Sequence, residues 1–101
     1  MDYNITQENN KKVIALSGRF TFNDNETFRS IIEEISTSAP TPCILDMQKL
    51  EFIDSAGLGM LFLASDTASG NQVKITMRNT QGPVKRMLDI SQFSEIIPFE
   101  A

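Results

Sequence analysis

The sequence predicts a single α/β domain over residues 1–101, a mixed β-sheet of about four to five strands with helices packed mainly on one face. Three observations carry that prediction. Strand-like and helix-like hydrophobic periods alternate along the chain. Turn-forming residues separate each segment from the next. With 101 residues there is room for one modest core, and no repeat, linker or low-complexity tract divides it.

Tyr3-Asn4-Ile5-Thr6-Gln7 alternates apolar and polar residues. Glu8-Asn9-Asn10-Lys11 then supplies a turn before Lys12-Val13-Ile14-Ala15-Leu16-Ser17, which predicts an opening hairpin whose second strand ends at Gly18. Arg19-Phe20-Thr21-Phe22 leads toward a helix. Asn23 with Glu26 three residues later has the form of a capping box, and Phe28, Ile31, Ile32 and Ile35 fall at the spacing of one buried helical stripe. Arg29, Ser30, Glu33 and Glu34 are its solvated face. Pro40 closes this region.

Pro42-Cys43-Ile44-Leu45-Asp46-Met47 reads as a strand buried on both faces, ending near Met47. Gln48 to Glu51 reads as a crossing segment, and a helix follows from Ser55 to about Thr67. That helix is unusual: Leu58, Met60, Leu61, Phe62, Leu63 and Ala64 occupy more than one side. Either the fold covers it on two sides, or the surface near Met60 and Leu63 is left for a partner. Val73 to Met77 alternates as a half-buried strand. Pro83 opens a short helix with Val84, Met87 and Leu88 inward and Lys85 and Arg86 solvated, and Ile96 to Phe99 is long enough only for a terminal strand. The strands around residues 42, 73 and 96 are expected to be parallel neighbours.

Composition narrows the function. A net charge of −4 argues against direct nucleic-acid binding, which needs a basic surface. No apolar run approaches the length of a membrane span, and the first residues lack the pattern of a secretory signal, so direct membrane insertion is not expected and the cytoplasm is the default location. The single cysteine, Cys43, forms no internal disulfide and reads as a small buried hydrophobe. With no histidine, the usual base of serine and cysteine hydrolases is missing, so catalysis is not expected. No Walker-type loop is present, and no cofactor or metal site is expected.

The stretch Leu50 to Leu61 joins strand to helix, with Asp54 and Ser55 where the first helical amides lack internal partners. Ser55 is open to two readings there: plain capping, or a phosphate acceptor favoured by the free N–H groups and the positive end of the helix dipole. Gly57 and Gly59 lie in the first helical turns, where each costs about 1 kcal/mol of helix propensity relative to Ala. Their lack of Cβ lets another backbone or a partner come close.

Phe52-Ile53-Asp54-Ser55-Ala56-Gly57-Leu58-Gly59 resembles the signature of STAS domains, in particular of the stand-alone bacterial anti-sigma factor antagonists. The resemblance covers nearly the whole chain in pattern and is specific over Asp54 to Gly59. It implies a STAS-like fold, phosphorylation at Ser55, and a partner that is both a serine protein kinase and an anti-sigma factor. It further implies a metal-dependent serine phosphatase that resets the switch, with ATP and magnesium belonging to the kinase. The implied partner-binding residues are Asp54, Ser55, Ala56, Gly57, Leu58 and Gly59, with Met60 and Leu63 added from the apolar pattern. One departure stands out: many relatives carry Gly-Glu-Leu-Asp where this chain reads Gly18-Arg19-Phe20-Thr21. The alternative in the same fold is an accessory subunit docking constitutively on a membrane transporter ATPase.

Overall fold

Asn9 and Asn10 have φ of 51° and 63°, the two positive angles that a tight two-residue hairpin turn requires. In the computed structural model, which describes residues 1–100, they join strand β1 (Asp2–Glu8) to antiparallel strand β2 (Lys11–Phe20). A 3-10 turn (Phe22–Asp24) and helix α1 (Asn25–Ser36) carry the chain to strand β3 (Cys43–Ile53), parallel to β2. Helix α2 (Ser55–Gly70) returns it to strand β4 (Ile75–Arg78), parallel to β3. Helix α3 (Gly82–Ile90) and a second 3-10 turn (Phe93–Glu95) complete the fold. The sheet order is β1-β2-β3-β4, so each helical crossover joins adjacent parallel strands.

Several boundaries differ from the sequence reading. Strand β2 does not stop at Gly18: it passes through that residue at φ +86° and pairs onward, Arg19 with Phe52 and Phe20 with Ile53. Correspondingly, Gln48 to Glu51 is strand rather than a crossing segment. Register shifts near Ser17 and Gly18 bend both strands, and the inward residues become Met47, Leu50 and Ile53 rather than every second position. That irregularity erased the alternation by which a strand is recognised.

The capping box predicted at Asn23 and Glu26 is not formed. Thr21 Oγ1 instead accepts from the Asn23 N–H, and Asp24 reaches back to the Thr21 N–H at 2.8 Å. Asp24 also meets the terminal ammonium of Met1 at 2.7 Å, a pairing between residues 23 apart that local pattern cannot show. Helix α2 runs past Thr67 to Gly70, closed by Asn71, whose side-chain amide donates to the Thr67 carbonyl. Strand β4 begins at Ile75, two residues later than expected. The terminal strand is reduced to a single parallel bridge, Met77 with Phe99. Pro98 accepts from Met77 but has no N–H to continue a ladder.

One core lies between the sheet and its helices. Ile14, Leu16, Leu45, Met47 and Met77 meet Phe28, Ile31 and Ile35 of α1, Leu61, Ala64 and Ala68 of α2, and Val84 and Leu88 of α3. Ile32, expected in the α1 stripe, is half-buried at its margin. Cys43 is 1% exposed, and burial pushes its thiol pKa up.

Val13 and Ile44 are also buried, at 3% and 2% exposure, but pair on the opposite sheet face, outside the helix-side core. Arg78 on β4 spans that face. It bonds Asp46 at 3.1 Å and clasps both carboxylate oxygens of Glu8, on the far outer strand, at 2.9 and 3.1 Å. Its long side chain thus covers apolar surface that no helix shields.

Candidate functional site

The site is built where the ends of β2 and β3 meet the start of α2. Asp54 is extended (φ −102°, ψ −177°) and caps the helix: Oδ1 accepts from the Gly57 N–H at 2.8 Å. Its other oxygen, Oδ2, accepts from the Phe22 N–H at 3.2 Å, and its own N–H donates to the Phe20 carbonyl at 3.1 Å. One residue therefore fastens the helix start to the turn that follows β2.

Because Asp54 takes the cap, Ser55 is left free. It is the first residue of α2 and exposed, and its hydroxyl makes no hydrogen bond among the described residues. Of the two readings open for this serine, capping belongs to its neighbour. The Ser55 and Ala56 amides precede the first intrahelical bond and have no carbonyl within the helix to reach. An anion on the Ser55 oxygen would sit at the positive helix end.

The two glycines do different work. Gly57 is buried: a Cβ there would lie 2.7 Å from Ile53 Cγ1 and 3.0 Å from the Phe20 carbonyl oxygen. Its lack of side chain admits the chain's own backbone. Gly59 is exposed with nothing within 4 Å of a Cβ position, so nothing in the fold itself requires a glycine there.

Only Gly57, Leu61, Ala64 and Ala68 of α2 are buried, at the narrow i, i+4, i+7, i+11 spacing. The opposite stripe carries Ser55, Gly59, Phe62, Leu63 and Asp66, all exposed. Phe62 and Leu63 remain 55% and 50% exposed, which resolves the apolar excess of this helix: it is not covered on two sides. Ala56, Leu58 and Met60 are half-buried at the flanks. The structure thus gathers Ser55, Gly59 and Leu63 on one outer face and turns Gly57 inward. Phe62 was absent from the sequence-derived set, although the same all-round apolar pattern contained it. Phe62 and Leu63 stand two helical turns beyond Ser55, about 11 Å along the axis.

A hollow of about 540 Å³ borders the site, lined by Arg19, Phe22, Phe52 and Asp54 among others. The Arg19 guanidinium stacks over the Phe52 ring at 4.2 Å, and Phe22 is 68% exposed. Asp24 lies at its floor. Burial pushes the Asp24 carboxyl upward, but the terminal ammonium and the Thr21 N–H outweigh it and hold the group below the usual carboxylate value.

The model of the STAS domain family matches residues 2–101. A STAS-domain-containing protein of Pseudomonas aeruginosa (strain UCBPP-PA14) is 32% identical over 83 residues, 82% of this chain and 81% of that protein. The anti-sigma factor antagonist SpoIIAA in its unphosphorylated form superposes with a TM-score of 0.73 at 20% identity, covering 99% of this chain and 89% of that one. A part of the murine anion transporter Solute Carrier 26 family member A9 aligns with a TM-score of 0.72 at 25% identity, covering 85% of this chain and 14% of that one.

Proposed function

The chain belongs to the STAS domain family, and on that premise we propose that it is a phosphorylation-controlled protein-binding switch, an anti-sigma factor antagonist with Ser55 as acceptor. The observation that carries this reading is the division of labour at the helix start. Asp54 holds the cap, so the Ser55 hydroxyl stands exposed and unbonded on the same face as the uncovered Phe62 and Leu63.

Unmodified, that face binds a serine kinase that also serves as anti-sigma factor, and a transcription factor is released in consequence. Phosphorylation adds roughly −1.5 to −2 charge and three acceptor oxygens at pH 7. On the free protein the exposed helix end tolerates that charge, so the fold persists. In a tight interface, beside the Asp54 carboxylate, it meets like-charge repulsion and desolvation, and the complex dissociates. A metal-dependent serine phosphatase restores the binding form. ATP and magnesium belong to the kinase, and the chain itself binds rather than catalyses. This action is cytoplasmic, with no direct contact to nucleic acid.

Intact mass and site mapping of the protein isolated from its own cells, across growth conditions, test the reading. A condition-dependent gain of one phosphate on Ser55 is expected, lost in Ser55→Ala. Full phosphate uptake by Ser55→Ala would show that the acceptor is elsewhere. The likeness to a segment borne within an anion transporter chain supports association with a membrane transporter as one other reading, of which constitutive docking on a transporter ATPase is the form the sequence resemblance implies. Copurification with a transporter and a Ser55 that never carries phosphate would select it.

A further inference from the structure

The hollow beside the switch serine carries a feature that the helix face does not: a cation already fixed in place. Arg19 is exposed, yet its guanidinium is stacked on Phe52 at 4.2 Å and forms no ion pair among the described residues. The two carboxylates nearby are otherwise engaged. Asp24 is held by the terminal ammonium and the Thr21 N–H, and Asp54 by the Gly57 and Phe22 N–H groups. The guanidinium therefore keeps its donors for a group from outside. Stacking limits its rotamer freedom, so less entropy is lost when a carboxylate is bound. Phe22, 68% exposed on the same rim, gives an apolar wall.

We propose that this hollow receives an acidic side chain of the partner, its carboxylate paired with Arg19 and its apolar neighbour packed on Phe22. The proposal rests on the reading of Ser55 as a partner-facing switch, and it names the chemistry of the partner segment that lies beside it. Since Phe22 donates its N–H to Asp54, the hollow and the helix start are parts of one continuous surface.

Two measurements on the full chain test it. The first is an NMR titration of isotopically labelled protein with blocked tripeptides Leu-Glu-Leu, Leu-Gln-Leu and Leu-Lys-Leu. The glutamate peptide should shift the Arg19 Nε–H and the amides of Phe22 and Phe52 saturably, and bind about tenfold more tightly than the glutamine peptide, the scale of one charge-assisted hydrogen bond. Arg19→Gln should abolish that preference without disturbing the rest of the spectrum. Equal binding of the glutamate and glutamine peptides, or a preference that survives in Arg19→Gln, would overturn the proposal.

The second is Ser55 phosphate content in cells carrying wild type or Arg19→Glu. A fall of about tenfold or more in the variant supports the proposal, on the same scale of one lost charged contact. Phosphate on the wild type with no fall in the variant overturns it and leaves the switch standing. A wild type that never carries phosphate removes the switch reading instead, and the peptide titration then decides the hollow alone.

Discussion

Adding one methyl group at Gly57 or at Gly59 should have opposite effects, although the two residues lie two apart on one helix. At either position Ala gains at most about 1 kcal/mol of helix propensity over Gly. At Gly57 the new Cβ falls 2.7 Å from Ile53 Cγ1 and 3.0 Å from the Phe20 carbonyl oxygen. Ile53 is 1% exposed and cannot swing outward, and the carbonyl belongs to the end of β2. Overpacking of this kind typically costs about 1–3 kcal/mol. Gly57→Ala should therefore lose up to about 2 kcal/mol net, a fall of up to roughly 10 °C in melting temperature for a domain of this size. At Gly59 nothing opposes the gain, so Gly59→Ala should raise the melting temperature by a few degrees. Gly59 is nevertheless on the proposed binding face, where the methyl group would weaken partner binding about tenfold or more. Thermal unfolding by circular dichroism and binding to the kinase read the two effects separately. A Gly57→Ala protein more stable than wild type would refute the packing argument. A Gly59→Ala protein that binds as wild type does would refute close approach at that face.

Further outcomes are expected elsewhere. Asp54→Ala removes an N-cap worth about 1 kcal/mol and leaves the Phe22 N–H without its acceptor, so chemical denaturation should show a loss of about 2 kcal/mol; Asp54→Asn should recover only about half of it, because its single amide oxygen can cap Gly57 while its NH2 faces the Phe22 N–H. Phosphorylated Ser55 should leave the melting temperature within a few degrees of the unmodified protein while abolishing kinase binding, because the helix dipole offsets the added charge by about 0.3–1 kcal/mol. Arg78→Met should cost about 1 kcal/mol at neutral pH, the surface-screened scale for partly exposed pairs.

That Arg78 effect should depend on pH in a definite direction. The Arg78 hydrogen bond holds Glu8 below its usual range, and at Asp46 the Gln48, Asn79 and Arg78 contacts outweigh a burial effect that pushes upward. Carboxylates depressed by folding contribute stability that is complete above their unfolded values, and it drains as pH falls through the lower folded ones. The difference between wild type and Arg78→Met should therefore be constant above about pH 5 and shrink progressively below it. Denaturant midpoints across pH 2–7 give the answer, and a difference unchanged at pH 2 would exclude the ion pairs as its source.

Much of this was legible in the sequence because local chemistry and fold agree. The Asn9-Asn10 turn, the α1 stripe and the strand at Cys43 follow from turn residues and hydrophobic period. The Asp54 to Gly59 motif located the helix start. What stayed hidden depends on pairing across the fold. Gln48, Lys49 and Glu51 read as loop because a bulged strand with one open side shows no alternation. Thr21 and Asp24 cap the 3-10 turn that leads into α1, and Asp24 is also held by the Met1 ammonium, a contact that no local window contains. Gly57 and Gly59 are the same letter, and only the position of Phe20 and Ile53 behind one of them separates an internal packing need from an external one. Phe62 was visible as an apolar residue, but its exposure depends on how narrow a stripe α1 and the sheet leave for α2 to bury.

The double use of the Asp54 carboxylate bears on how far a modification at the proposed acceptor would be felt. Bound to Gly57 on one side and Phe22 on the other, it ties the residue before Ser55 to the corner where β2 and β3 meet α2. Esterifying the hydroxyl next to such a corner repaints the surface without moving the frame beneath it. On the proposed switch no wave of rearrangement would have to cross the domain, so the change of surface would be complete when the covalent bond formed.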